Sequence, residues 1–300
     1  MAFQVADTAV GIADKGRTPT ATSDVGPSRF GTIAKSLELW LPAGFLILLV
    51  LACFVWPDIY HVPSPVNGQL GDGMKPPLSP GHLFGTDQLG EDILSRILYG
   101  GRVSLEVGFG ATFLGLLVGG GLGTIAAFKG GTVENVVMRI LEVFLAFPAL
   151  ILAIIVATYL GPSELHVIWA ISFFAVPAFG RLARANTLRL RDQTFIHASE
   201  LSGTPDRRII VRHIAPNIFP PVMTFALLGV GVAIIVEASL GFLGLGVPPP
   251  APSWGNMIAV GQQQLATSPD LVLIPAAFLF ATVVSLNLLG DALRLRWGGQ

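Results

Sequence analysis

Long stretches without a single charged side chain alternate with short polar segments along this chain, and their lengths match those of membrane spans. Charge-free runs occupy residues 39–57, 107–128, 143–163, 165–180, 214–236, 238–269 and 271–290. A helix that crosses a bilayer needs ~20 consecutive apolar residues, and most of these runs supply them. The run at 238–269 contains GVPPPAPSW, whose prolines remove helical hydrogen bonds and clash with the preceding turn, so it is read as an extramembrane loop with a re-entrant turn. Six spans remain, and the fourth, 165–180, is the shortest. The pattern predicts an all-α membrane protein with six transmembrane helices.

Composition agrees with that solvent. With 52% hydrophobic and 12% charged residues and a mean hydropathy of +0.68, the chain is too apolar for a soluble domain. Short cationic loops stay cytoplasmic, which sets the orientation. If both termini are inside, only Lys75, Arg96 and Arg102 of the 18 Lys and Arg fall outside. The expected organisation is a disordered cytoplasmic tail over residues 1–37, a first transmembrane helix over 38–57 acting as a retained anchor, an extracytoplasmic segment over 58–102, and a five-helix core over 103–300. The single Cys53 lies in the first run and is assigned to packing. His61, His82, His166, His197 and His213 are scattered along the chain, with no spacing that gathers metal ligands.

Between the fourth and fifth spans lies TFIHASELSGTPDRRIIVRHIAP, residues 194–216. Thr194 is placed to N-cap a helix, Gly203 to end it in the left-handed conformation, and Thr204-Pro205-Asp206 to restart a second helix with a cap, an N1 proline and a dipole-matched acid. The second helix is expected to stop near Pro216. Such a hairpin folds as a unit and offers a soluble partner one compact cytoplasmic surface. In the second span, Gly115, Gly119 and Gly123 recur at intervals of four, the spacing of a close helix-packing seam within the bundle or with a second subunit.

Residues 195–216 resemble the cytoplasmic EAA loop of binding-protein-dependent ABC transporter permeases, with Gly203 at the loop glycine and Ile214-Ala215-Pro216-Asn217 similar to its closing I-x-P-N. FGTDQLGEDILSRILYGGRVSL (84–105), EASLGFLGLGVPPPAPSWGNMI (237–258) and LNLLGDALR (286–294) resemble, in order, the signatures of the C-type peptide and nickel permease branch. The family's E-A-A is His197-Ala198-Ser199 here, and the usual arginine of G-R-D is Glu91. His197 is a poorer partner than glutamate for a helix N-terminus, which weakens that helix start.

The resemblance implies a type I importer permease that performs no bond chemistry. It translocates dipeptides or oligopeptides, or in an alternative reading nickel or another small solute, delivered by an extracytoplasmic substrate-binding protein. The implied partners are a related B-type permease, one or two ATP-binding subunits and the bilayer of a prokaryotic inner membrane, with no nucleic acid. ATP and Mg belong to the ATPases, and no cofactor is expected on this subunit. In keeping with this, the chain contains no G-x-x-x-x-G-K-[ST] phosphate loop. The resemblance assigns the loop at 181–217 to ATPase coupling, carried by Phe195, Ile196, His197, Ala198, Ser199, Leu201, Gly203, Asp206, Arg207 and Pro216. Phe195, Ile196 and Leu201 are expected to enter an apolar groove on the ATPase, while Arg207, Arg208 and Arg212 meet acidic rims or lipid phosphates; the competing reading is that these arginines only follow the cationic bias of cytoplasmic loops.

Glu142, Glu237 and Asn287 are the candidates for the translocation pathway, because polar groups near membrane depth face the bundle or a wet cavity. Arg139 stands three residues before Glu142, where an ion pair along one helix is the competing reading. A DNA-reading helix–turn–helix is disfavoured by the tether between spans. An ion-coupled secondary transporter needs mid-membrane carboxylates, whereas the acids here cluster at span ends and in loops.

Overall fold

The computed structural model describes residues 29–59 and 62–297. Nine helices organise the described residues: α1 Arg29–Phe54, α2 Ile93–Lys129, α3 Gly131–Leu145, α4 Ala149–Leu160, α5 Glu164–Arg191, α6 Thr194–Leu201, α7 Asp206–Phe242, α8 Trp254–Gly261 and α9 Asp270–Trp297. One-turn helices at Trp56–Ile59, Leu70–Asp72 and Gln262–Gln264 punctuate the connections. Residues 1–28 of the expected tail lie outside the described residues, and α1 already begins at Arg29, inside the stretch expected to lack structure.

Among the described residues, four helices are long and apolar enough to cross a membrane: α2, α5, α7 and α9. The expected third span, 143–163, is not one straight helix. Pro148 separates α3 from α4, and the two are bent by 83°. A proline cannot donate its backbone hydrogen bond, and its ring pushes the preceding residue out of the helical region, so the run of apolar residues does not guarantee a continuous helix. The apolar part of the first helix, Glu38–Phe54, is also shorter than the other four. The fourth span reverses the expectation of shortness, because α5 continues past Gly180 through Arg181, Arg184 and Arg189 to Arg191.

Packing explains the glycine seam. Within α2, residues Gly115–Gly120 form a π turn, and α5 lies along it. A β-carbon on Gly119 would collide with the backbone of Val176, one on Gly115 with Ala175, and one on Gly123 with Gly180. The seam therefore joins two helices of this chain and is not left for a second subunit. The loop before α2 is fixed to that helix through its cap. Asp92 starts that helix, accepting from the Ser95 backbone N–H at 2.8 Å. Its other oxygen meets His82 Nδ1 at 2.9 Å, which ties the loop to the helix start.

At that same end, α8 is docked against α2 and α7 with almost no intervening space. The backbone of Ser253 lies over Gly100, the Trp254 ring over Gly101, and the backbone of Ala238 over Gly255. Trp254 is fully buried and donates from Nε1 to the Ile97 carbonyl at 3.1 Å. Ser253 and Asn256 close a reciprocal capping box that fixes where α8 begins. The opposite end of the bundle carries α6 and the start of α7.

Candidate functional site

The hairpin is built outward from an apolar centre. Ile196 of α6 and Ile209 and Ile214 of α7 are each fully buried, and together with Ile218 they join Phe128 of α2 and Phe179 of α5 in one cluster. Burying an isoleucine side chain is worth about 1.5–3 kcal/mol, so this core holds the hairpin against the ends of α2 and α5. Ile196, expected beside Phe195 and Leu201 as a side chain that enters a partner, is thus an internal residue of the hairpin. Phe195 is 44% exposed and Leu201 90% exposed. Those two remain as the outward apolar side chains of α6.

Gly203 ends α6 as the sequence predicts. Its φ is +71°, its N–H donates to Glu200 O at 2.9 Å, and the Thr204 N–H reaches back to Ser199 O at 3.1 Å. This pair of bonds is a Schellman motif, which satisfies carbonyls that the helix end leaves open. The helix starts differ by one residue from expectation. Thr194 is the first helical residue of α6, preceded by Gln193 with no side-chain cap, and Pro205 takes the cap position of α7 ahead of Asp206. His197 pairs with Glu200 at 3.3 Å on the exposed face, and the Ser199 hydroxyl donates to Phe195 O at 2.8 Å. Ala198, Asp206 and Arg207 lie exposed on the same outer surface.

Pro216 does not stop the second helix. It lies inside α7, which runs unbroken from Asp206 into the span and out to Phe242. The physical device is a π turn over Ile210–Ile214, where Ala215 N–H bonds Ile210 O in place of the usual partner four residues back. Widening the turn moves the preceding carbonyls away from the proline ring, the clash that otherwise breaks a helix. Consequently the hairpin and the span form one rod. Two polar ties brace the neighbouring elements: Arg184 Nε donates to Glu134 Oε1 at 2.6 Å between α5 and α3, and Arg191 Nη1 donates to Ala127 O at 2.7 Å at the end of α2.

The three pathway candidates fall in three separate environments. Glu142 is exposed on α3 and pairs with Arg139 at 3.2 Å. Glu237 is fully buried on α7, where its carboxylate accepts from the Ser104 hydroxyl of α2 at 2.8 Å. Asn287 is exposed on α9. None of them lines the groove that runs between α2, α4, α5 and α7, whose walls include Thr112, Ala153, Phe174, Phe179 and Val232.

Residues 119–296 match the family described as binding-protein-dependent transport system inner membrane component. The glutathione transport system permease protein GsiD of Pectobacterium atrosepticum is 38% identical over 253 residues, covering 84% of each chain. The dipeptide transport system permease protein DppC of Alkalihalophilus pseudofirmus is 40% identical over 250 residues, covering 83% of this chain and 80% of its own. Among solved structures, an inward-facing form of the MetNI methionine ABC transporter superposes with a TM-score of 0.57 at 16% identity, covering 67% of this chain and 96% of that chain. At that identity the likeness concerns the fold alone, which is the type I importer fold.

Proposed function

The chain belongs to the binding-protein-dependent transport system inner membrane components, and on that premise we propose that it is the permease subunit of an ATP-driven importer of dipeptides or oligopeptides. The curated relatives, named for dipeptide and glutathione transport, support the substrate class because the similarity extends over more than four-fifths of this chain. In this reading a separate substrate-binding protein delivers the peptide at the α8 end of the bundle. One or two ATP-binding subunits dock at the hairpin end, which is cytoplasmic together with both termini. A related B-type permease completes the route.

The observation that carries the coupling role is the continuity of α7 from Asp206 to Phe242. A docking surface fused to a span by an unbroken helix moves that span when the surface moves, without a flexible joint to absorb the displacement. Phe195 and Leu201 supply apolar contact to the ATPase, and Asp206, Arg207 and the exposed backbone turn at Gly203 supply the polar rim. Glu237 serves in this account to tie the outer end of the same rod to α2 through Ser104. The test is uptake of labelled dipeptide, glutathione and nickel by cells lacking this subunit. Peptide uptake is expected to disappear and nickel uptake to persist; loss of nickel uptake alone would overturn the substrate assignment.

A further inference from the structure

A second cavity, ≈ 520 Å³, opens at the hairpin end between α5, α7 and α9. Phe225 and Leu228 line both this cavity and the apolar groove of ≈ 240 Å³ higher in the bundle. Pro221, Phe225, Leu228, Val232 and Val236 recur at three- and four-residue intervals along α7, so a single face of that helix borders both spaces. The two cavities are therefore successive stretches of one groove.

Its walls change character along its length. In the bundle the groove is bounded by aliphatic and aromatic side chains and small residues. At the hairpin end it is bounded by Arg189 of α5, Arg294 and Trp297 of α9, and Asn186. Neither guanidinium has an ion-pair or hydrogen-bond partner among the described residues. Two exposed arginines on different helices, without a partner among the described residues and lining one cavity, have the chemistry to take a planar anion, since a guanidinium binds a carboxylate with two parallel hydrogen bonds.

We propose that this groove is the chain's share of the peptide route and that Arg189 and Arg294 form a carboxylate-binding mouth where the peptide's C-terminal carboxylate is held before release. The inference rests on the peptide-import reading and adds a substrate-contacting site to it. An apolar groove slides side chains of differing shape with little selectivity, whereas the carboxylate is the one feature that all unmodified peptides share. A positive mouth at the exit draws that group out of the apolar stretch and sets the direction in which the peptide emerges.

The experiment uses the whole complex, without nucleotide or binding protein, in nanodiscs with and without phosphatidylglycerol. Binding of a labelled dipeptide is measured in competition with the unlabelled free acid and with its C-terminal amide. The wild type is expected to prefer the free acid roughly tenfold, equivalent to ~1.4 kcal/mol. Arg189→Gln with Arg294→Gln is expected to abolish the preference while leaving the affinity for the amide unchanged, and the two lysine replacements are expected to restore part of it. Absence of a preference in the wild type, its persistence in the double variant, or equal weakening of acid and amide overturns the proposal. So does a double variant that loses only retained phosphatidylglycerol, because the seat is then for a lipid headgroup. Failure of the peptide-import reading is seen separately, as peptide uptake that survives removal of the subunit.

Discussion

Gly203 concentrates the hairpin's conformational demand in one residue. A β-carbon there would meet no atom within 4 Å, so the cost of substitution comes from φ +71°. For a β-branched residue that cost is ~1–2 kcal/mol. Gly203→Val is expected to leave membrane abundance and the amount of co-purified permease partner near normal while lowering co-purified ATPase. Gly203→Asn, which tolerates the left-handed region, is expected to retain most ATPase binding. Ile196 and Leu201 provide the complementary contrast, one fully buried and the other 90% exposed. Ile196→Ala should destabilise the hairpin by about 2–5 kcal/mol and raise hydrogen exchange through residues 194–218. Leu201→Ala should leave exchange unchanged and reduce only ATPase co-purification.

The same contrast between local chemistry and packing governs the elements. Gly203 ended α6 as its sequence context predicts, because a left-handed cap is a local matter of one residue's backbone. Pro216 did not end α7, because the π turn that accommodates it depends on the buried cluster around it. A trace of that turn is present in the sequence, since the buried Ile209 and Ile214 stand five residues apart where an α-helix spaces one face by three or four. In the third expected span, the length of the apolar run outweighed Pro148, and the bend followed the proline. The glycine seam was legible as a seam, but which helix fills it was not, since small residues specify close approach without naming the partner. Of the apolar side chains expected to face a partner, Phe195 and Leu201 are exposed and Ile196 is buried; Ser104, Arg184 and Arg191, whose partners are distant in sequence, carried no local signal. Gly119→Leu tests the seam at this scale. Its side chain would fall on the Val176 backbone, so α2 and α5 must separate and the variant's membrane abundance should drop severely, measured by immunoblot of washed membranes, before any transport defect is read.

At the level of the whole molecule, the subunit presents one continuous helix that joins a hairpin surface to a groove, with the groove left open along α7. An open groove bounded by one chain is half of an enclosed route. Import by the proposed route therefore requires a permease partner and an external source of energy, and purification in mild detergent should yield a complex of unlike permeases with ATPase attached. In the proposed function, ATP hydrolysis on a separate subunit drives peptide through this chain. The most direct measurement reconstitutes the complete complex in proteoliposomes with the loaded binding protein and compares labelled dipeptide accumulation driven by ATP with that driven by an imposed proton gradient alone. ATP is expected to drive accumulation whether or not the gradient is collapsed, and the gradient without ATP is expected to drive none; gradient-driven accumulation in the absence of ATP would contradict the account.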